Sequence, residues 1–309
     1  MISYIVQFLL GAIFLFYGSD YLIKGSKGIA EKFQVKPIII AITIVALGTS
    51  LPELIVSILA NLKGQQGMVI GNVMGSNIAN IGLVLGVTAL VSTIKFPFKK
   101  VANDLYFLLG VTVLSIVFFI YGELVIWHGL TLLLLLIIYF IYLTIDNKLE
   151  NEQSHILFNK SSLYLVSRVS LGIIGLALGA SFFVESAIGI AELLGISDLV
   201  IGMSIVALGT SLPELATSLM AAKHKETDFL IGNIIGSNIM NTTLVLGSTI
   251  LFGSLCIDFN KILFQITFML ILTFGLFLLL KINNKITKLS GIILIGIYML
   301  FLFINFQTI

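Results

Sequence analysis

The amino-acid sequence predicts an all-α polytopic membrane protein with ten transmembrane helices, arranged as two inverted-topology repeats of five. Of its 309 residues, 58% are hydrophobic and only 10% are charged, and the mean hydropathy is +1.13. A chain with so few charges cannot cover a water-facing surface with polar groups, so most of its outer surface must contact lipid. The 17 basic and 15 acidic residues nearly balance, which excludes the basic surface of a nucleic-acid-binding protein. The single cysteine, Cys256, excludes an internal disulfide.

Each transmembrane helix needs about 20 mostly apolar residues. Continuous apolar runs between polar breaks predict spans at residues 3–23, 37–61, 67–92, 103–121, 125–145, 163–183, 197–222, 229–254, 262–280 and 289–307. The runs do not alternate between polar and apolar residues, which argues against a β-barrel. The first run lacks the charged start and cleavage site of a signal peptide, so we expect it to be retained. The predicted organisation is a first repeat (1–145), a short cytoplasmic linker (146–162) and a second repeat (163–309).

The distribution of basic residues predicts the orientation in the cell membrane. With these spans, 15 of the 17 Lys and Arg residues fall in odd-numbered loops or, for Arg168, near the span end that borders one, and the other two are Lys63 and Lys261. Basic residues are enriched in cytoplasmic loops. We therefore expect the odd loops in the cytoplasm and both termini outside.

The two halves of the chain share motifs at a constant offset. Residues 44–54 read IVALGTSLPEL, and residues 205–215 read the same eleven letters, 161 positions later. The pattern GNxxGSNIxN at 71–80 returns at 232–241 with the same offset. Because each half has an odd number of spans, the second half must enter the membrane from the opposite side. Secondary transporters often have this construction and bind their substrate near the bilayer midplane, between the repeats.

Glu53 and Glu214 are the acids that this interpretation places inside spans. A carboxylate at a helix centre costs about 2.5–3.5 kcal/mol on insertion scales, so two equivalent ones need a function. Each follows a proline, Pro52 or Pro213, which removes a backbone donor and frees a carbonyl one turn earlier. Such carbonyls are oxygen ligands for a cation.

Further oxygens lie at helical spacing around each glutamate. A threonine precedes each glutamate by four residues and shares its helix face. The next span carries a polar stripe at i, i+4 and i+8, beside a GxxxG pair that permits close helix contact. The threonines are Thr49 and Thr210, and the stripes are Asn72, Ser76, Asn80 and Asn233, Ser237, Asn241.

Together these groups form a set of oxygen ligands with no His or Cys, which suits a hard cation such as Ca²⁺. Two glutamates neutralise one Ca²⁺, and the same set of ligands also suits monovalent ions. Without bound ions the two carboxylates would be uncompensated in a low dielectric, which favours ion exchange over uniport.

The paired GTSLPE and GNxxGSN segments resemble the α-1 and α-2 repeats of the sodium/calcium exchanger family, in its minimal prokaryotic form, within the calcium:cation antiporter superfamily. The resemblance implies a core formed by the second, third, seventh and eighth helices, four ion sites in a diamond, and a sliding pair formed by the first and sixth helices. It implies calcium ligation by Thr49, Glu53, Thr210 and Glu214. It adds sodium ligands at Ala46, Ser50, Ser76, Asn80, Ala207, Ser211, Ser237 and Asn241. No cofactor is implied beyond the transported Ca²⁺ and Na⁺.

One position departs from many relatives, which have an acid where this chain has Asn241. Because potassium-coupled relatives are associated with that acid, we expect no potassium dependence. The middle ion site is in doubt for the same reason. The linker at 146–162 is too short for a regulatory domain.

The leading hypothesis is sodium-driven calcium antiport, and the runner-up is a proton-coupled calcium or cation antiporter. An intramembrane enzyme is disfavoured because the sequence has no HExxH motif, no histidine within a span apart from His128 at a span end, and no cysteine near a base. A scaffold would not need the buried glutamates. The expected partners are the lipid bilayer and the transported cations, with no obligate protein partner. Other acids, such as Asp20, are expected to be solvated at span ends, and His224 is expected in a loop.

Overall fold

The computed structural model describes residues 2–149, 161–193 and 207–307. The described chain is almost entirely helical. The helices are α1 (Ile2–Phe33), α2 (Pro37–Thr49), α3 (Leu51–Leu62), α4 (Gln66–Val91), α5 (Ala102–Ile120), α6 (Ile126–Leu149), α7 (Ser162–Leu193), α8 (Leu212–Lys223), α9 (Thr227–Leu251), α10 (Phe259–Asn283) and α11 (Lys288–Gln307). A short helical segment, Ala207–Gly209, precedes α8. The strands are β1 (Ile94–Lys95), β2 (Glu123–Leu124), β3 (Leu255–Cys256) and β4 (Lys285–Ile286).

The prediction of a polytopic, all-α membrane protein is confirmed. In the described part of the chain, eight helices are long and apolar enough to cross a membrane, and the number is nine if α2 and α3, which meet at a bend of 44°, form one span. The predicted span at 197–222 begins outside the described residues, so its described part is the segment Ala207–Gly209 and α8. The count of ten therefore stays a prediction.

Two helices are longer than the apolar runs predicted. The helices α1 and α7 each have 32 residues, whereas the predicted spans end at residues 23 and 183. The extra turns of α1 carry lysines, and a helix continues past the lipid because its backbone hydrogen bonds do not depend on apolar side chains. Similarly, α6 continues to Leu149, four residues into the predicted linker.

The centre of the molecule is formed by α4 and α9. In their most apolar windows, 78% and 94% of residues are buried, against 22–39% in the other spanning helices of the described chain. The helices α2 and α3, which together correspond to the second predicted span at 37–61, pack on this centre. The site is therefore held by the most enclosed helices.

The helices α1 and α7 pack along much of their length through glycines. A Cβ added to Gly18 would lie 2.7 Å from the backbone nitrogen of Leu176, and one added to Gly172 would lie 2.6 Å from that of Leu22. Both distances are shorter than any real Cβ contact, so the two backbones touch. Small residues permit this approach between membrane helices.

Two short strand pairs connect the halves of the chain. The antiparallel partners are β1 with β4 and β2 with β3. In each pair, one strand comes from the first half and the other from the second. The pairing is what a two-fold relation between the halves would produce.

Candidate cation-binding site

The helix that carries each glutamate is broken just before it. Ser50 separates α2 from α3 and has φ −86° and ψ 4°, and Ser211 has φ −86° and ψ 3° before α8. Pro52 and Pro213 lie in the first turn of α3 and α8, where a missing N–H is tolerated. The helix is thus interrupted in both halves, and each glutamate lies in the first turn after the break.

The two carboxylates come together in the centre of the molecule. Glu53 and Glu214 are both 0% exposed and are close enough to repel each other electrostatically. Ser50 Oγ donates to Glu214 Oε1 over 3.3 Å, which places a hydroxyl of the first half on the carboxylate of the second. Conversely, Thr210 of the second half lies beside Glu53 of the first half, together with Ser76. The site is therefore built between the halves, not within either one.

Many of the enclosed polar atoms have no hydrogen-bond partner among the residues that the structure describes. Both oxygens of Glu53 and Oε2 of Glu214 are of this kind. The others at the site are Oγ of Ser76 and Ser211 and both amide atoms of Asn80 and Asn241. Buried polar groups in proteins are normally paired, so a cluster of unpaired oxygens indicates a ligand site.

Thr49 links the two halves. Its hydroxyl lies 3.2 Å from Asn233 Oδ1 and 3.2 Å from Ser237 Oγ, and it lies beside Glu214. In the other half, Thr210 Oγ1 donates to Asn72 Oδ1 over 3.5 Å. The threonines predicted to share a helix face with their own glutamate therefore also contact the opposite half.

Asn72 and Asn233 orient these threonines. Asn72 Nδ2 donates to Ser57 Oγ over 2.8 Å and to the Glu53 carbonyl over 3.0 Å. Asn233 Nδ2 donates to Ser218 Oγ over 3.3 Å. Each amide nitrogen is thereby engaged, so its oxygen faces the threonine. The sequence placed both residues among the oxygens of the polar stripe, but the family resemblance did not include them among the ion ligands.

Asn80 and Asn241 begin equivalent π-helical segments, Asn80–Leu85 and Asn241–Val245. A π-helical turn widens the backbone locally and is frequent at functional sites. The segment that begins at Asn80 packs on α8, and the segment that begins at Asn241 packs on α3. Each asparagine thus lies on a segment that contacts the helix carrying the other half's glutamate.

Glycines bring α9 against α2. A Cβ on Gly236 would lie 2.7 Å from Ala46 Cβ and 2.7 Å from the carbonyl oxygen of Ile42. A Cβ on Gly232 would lie 2.5 Å from Ala41 Cβ. The close approach predicted from the second GxxxG pair is confirmed, but its partner is α2 of the other half.

The sodium ligands implied at Ala46 and Ala207 would act through their carbonyls. The Ala46 carbonyl already accepts the N–H of Ser50 over 3.0 Å and the hydroxyl of Thr49 over 3.3 Å. Ala207 begins the short segment before α8. The two roles stay predictions.

Two acids differ from the expectations drawn from sequence. Asp104, inside the predicted span 103–121, is 6% exposed and accepts a hydrogen bond from Tyr139 over 2.7 Å, so the statement that only the two glutamates lie inside spans is wrong. Asp20 is not simply solvated. It pairs with Lys24 and with His224, each over 2.8 Å, because α1 continues past the predicted span end and meets the end of α8.

The chemistry of the site is that of a hard-cation cage. Among the described residues there is no group of three or more His, Cys, Asp and Glu that could hold a metal. Two carboxylates among hydroxyl and amide oxygens match the oxygen-only coordination of Ca²⁺ by six to eight ligands. Such a set also suits Na⁺ and is unsuited to a transition metal.

The profile of the family described as sodium/calcium exchanger protein matches residues 3–145 and again residues 165–307. The chain belongs to the sodium/calcium exchanger family. This confirms the resemblance drawn from the GTSLPE and GNxxGSN motifs and confirms a transporter in place of an enzyme. Each match covers one half of the chain, in agreement with the motifs that recur at an offset of 161 residues.

Similar proteins cover nearly the whole chain. The sodium/calcium exchanger MaX1 of Methanosarcina acetivorans is 35% identical over 96% of this chain and 97% of its own length. An uncharacterized membrane protein of Methanocaldococcus jannaschii is 40% identical over 95% of both chains. A solved structure of the sodium-calcium exchanger NCX_Mj, soaked without Na⁺ and Ca²⁺, superposes with a TM-score of 0.83 at 37% identity over 97% of this chain and 98% of that one.

Proposed function

We infer that the protein is a secondary active antiporter that exchanges Na⁺ for Ca²⁺ across the membrane by alternating access. The observation that carries this inference is the pair of fully buried carboxylates, Glu53 and Glu214, enclosed by unpaired oxygens from both halves. Membership of the exchanger family supports the same conclusion.

We assign Ca²⁺ to a central site formed by Thr49, Glu53, Thr210 and Glu214. The two carboxylates neutralise the divalent charge, and hydroxyl oxygens contribute further ligands. Thr49, Glu53 and Glu214 are each 0% exposed, which supports this assignment. A dehydrated ion is bound strongly only where water is excluded.

We assign Na⁺ to positions around this centre. The residues are Ala46, Ser50, Ser76, Asn80, Ala207, Ser211, Ser237 and Asn241. The unpaired oxygens of Ser76, Ser211, Asn80 and Asn241 support this assignment, as do their locations on segments that contact the opposite half.

The proposed architecture consists of two inverted repeats, 1–145 and 163–309, joined by a linker at 146–162, with the odd loops in the cytoplasm and both termini outside. Cross-half pairing of the strands and the two separate family matches support the repeats. In this arrangement an inward movement of Na⁺ gains about 2.3 kcal/mol per charge per 100 mV. If more than two Na⁺ enter per cycle, the exchange moves net positive charge inward, so a negative membrane potential adds to the Na⁺ gradient and drives Ca²⁺ export against a steep gradient.

The test is radiocalcium uptake into proteoliposomes that carry purified protein and an imposed ion gradient. We expect uptake when Na⁺ is loaded inside and absent outside, and none when a proton gradient replaces it. Uptake driven by the proton gradient alone would identify a proton-coupled antiporter instead. Adding K⁺ should leave the sodium-driven rate unchanged, because Asn241 replaces the acid found in potassium-coupled relatives.

A further inference from the structure

The repeated motif ends in GSNIxN, and its first asparagine is not among the proposed ion ligands in either half. These residues are Asn77 on α4 and Asn238 on α9. Both are buried, at 3% and 1% exposure, and burying an amide is costly unless its polar atoms are hydrogen-bonded. The two side chains form different hydrogen bonds, although the motif around them is the same.

Asn77 forms a hydrogen bond between the halves. Its Nδ2 donates to Thr242 Oγ1 over 3.1 Å and also faces Met269 Sδ at 3.9 Å. The hydroxyl of Thr242 in turn donates to the carbonyl of Asn238 over 2.9 Å. Because a carbonyl can only accept, the hydroxyl proton is committed to it, and the amide of Asn77 must present its nitrogen. The two bonds therefore form a chain with one direction, from α4 through Thr242 to the backbone of α9.

The second half does not repeat this link. The residue 161 positions before Thr242 is Ile81, which has no hydroxyl. Asn238 Nδ2 instead donates to the carbonyl of Ile234, one turn earlier in its own helix, over 2.7 Å. Of these two motif asparagines, only Asn77 therefore reaches the opposite half through a hydrogen bond to another side chain, and the link acts on α9.

This link lies beside a proposed sodium ligand. Thr242 is the second residue of the π-helical segment Asn241–Val245 and follows Asn241 directly. Both amide atoms of Asn241 are buried and have no partner among the described residues, so no such hydrogen bond fixes that side chain. Its position therefore depends on the backbone that carries it. π-helical turns are rare and are frequent at functional sites, and here a bond from the opposite half holds the start of the turn.

We propose that Asn77 is a positioning residue for sodium binding. Through Thr242 it holds the start of the π-helical segment, and it thereby places the amide oxygen of Asn241 where it can contact a sodium ion. The proposal rests on the proposed sodium role of Asn241 and extends that role to a residue of the opposite half. The proposed calcium ligands do not include Asn241, so calcium binding should not depend on the link.

The test compares the sodium and calcium dependence of two variants in proteoliposomes. Thr242→Val keeps the shape of the side chain and removes the hydroxyl, and Asn77→Leu removes the amide donor. Each should raise the internal Na⁺ concentration that gives half-maximal calcium uptake about fivefold, which corresponds to one hydrogen bond of about 1 kcal/mol. The half-saturating Ca²⁺ concentration for calcium–calcium exchange without Na⁺ should not change. If Asn77→Leu does not fold, Thr242→Val provides the same comparison.

The control is Thr243→Val, in the same segment. The hydroxyl of Thr243 donates to the carbonyl of Ile239 in its own helix over 2.7 Å, so its removal leaves the link between the halves intact and should leave both half-saturating concentrations unchanged. A shift in sodium dependence equal to that of Thr242→Val would overturn the proposal. So would equal changes in the sodium and calcium dependence of Thr242→Val.

The double variant Asn77→Leu/Thr242→Val tests the chain of hydrogen bonds itself. Groups that act through one shared interaction are not additive, so the double variant should show about the same fivefold change as either single variant. A change of about 25-fold, the product of two independent effects, would show that the two residues act separately and would overturn the proposal.

Asn241→Ala separates this proposal from the proposed function. If Asn241→Ala raises the half-saturating Na⁺ concentration while Asn77→Leu and Thr242→Val do not, the sodium ligand stands and the positioning role is overturned. If Asn241→Ala itself leaves the sodium dependence unchanged, the sodium assignment of Asn241 fails, and the positioning role of Asn77 fails with it.

Discussion

Replacing either buried glutamate by glutamine should remove most of the calcium affinity while leaving the fold intact. Glu53→Gln and Glu214→Gln keep the side-chain volume and remove one negative charge. Two unit charges about 4 Å apart interact by about 4 kcal/mol at an effective dielectric constant near 20. Because Ca²⁺ carries two charges, 4 kcal/mol is a lower estimate of the lost attraction. Since 1.4 kcal/mol changes an equilibrium constant tenfold, the dissociation constant should rise by roughly three orders of magnitude.

Thermal unfolding in detergent with and without Ca²⁺ measures this loss. Calcium at 100 times the dissociation constant of the unmodified protein stabilises it by about 2.7 kcal/mol. At the same concentration a variant with thousandfold weaker binding gains only about 0.06 kcal/mol. Without calcium, both variants should unfold at the same or a higher temperature, because a repulsion between two buried carboxylates has been removed.

The control is Glu123→Gln, which removes an exposed carboxylate on β2 and should keep the full calcium-induced stabilisation. The direction in which the unfolding temperature changes without calcium is as informative as the loss of calcium binding. If either site variant retained its calcium-induced stabilisation, or unfolded several degrees lower without calcium, the assignment of a paired calcium site would be refuted.

Three further substitutions test the packing that supports the site. Gly236→Ala should destabilise the protein by about 1–3 kcal/mol, since the added Cβ would lie 2.7 Å from atoms of α2. The control Gly275→Ala should not, because a Cβ there meets no described atom within 4 Å. Thermal unfolding of the two variants measures the difference in stability. Asn61→Leu removes two hydrogen bonds to carbonyls at the end of α9 and should cost about 1–3 kcal/mol in the same measurement. Asp20→Asn removes the pairing with His224 and should cost up to about 1 kcal/mol, less at high salt; an equal effect at both salt concentrations would argue against an electrostatic contribution.

Local sequence features predicted most of the fold. The length of each apolar run located the spans, and the offset of 161 identified the second half as a copy of the first. The ends of α1 and α7 were not predictable in this way. Hydropathy reports where lipid ends, whereas a helix ends only where its backbone hydrogen bonds end.

The composition of the site was predictable, but its pairing was not. A buried acid after a proline marked Glu53 and Glu214, because both features are costly in a membrane helix. Spacing along one helix could relate Thr49 only to Glu53, whereas the structure also places Thr49 beside Glu214. Contacts between halves depend on how the helices cross, and no sequence interval encodes this. For the same reason, the sequence placed Asn72 and Asn233 among the site's oxygens without relating them to the threonines that they contact.

The paired carboxylates also account for coupling. Ionised and without bound cations, the site would carry two negative charges at 0% exposure, and each unpaired buried ion costs several kcal/mol. One Ca²⁺ cancels this charge, and so do two Na⁺. A change of access is therefore favourable only with ions bound, which links the exit of one ion to the entry of the other.

This reasoning predicts a difference between two fluxes in the same proteoliposomes. With Ca²⁺ on both sides and no Na⁺, radiocalcium should exchange readily, because the site changes access while loaded. Efflux of Ca²⁺ into a solution free of Ca²⁺ and Na⁺ should be far slower, because the site would have to return without ions. The cost of the ion-free site raises the barrier of the return step only. Calcium exchange does not include that step, so its rate measures the ion-loaded step by itself. Comparable rates for the two fluxes would show that the ion-free site crosses freely, and the electrostatic account of antiport would then be wrong.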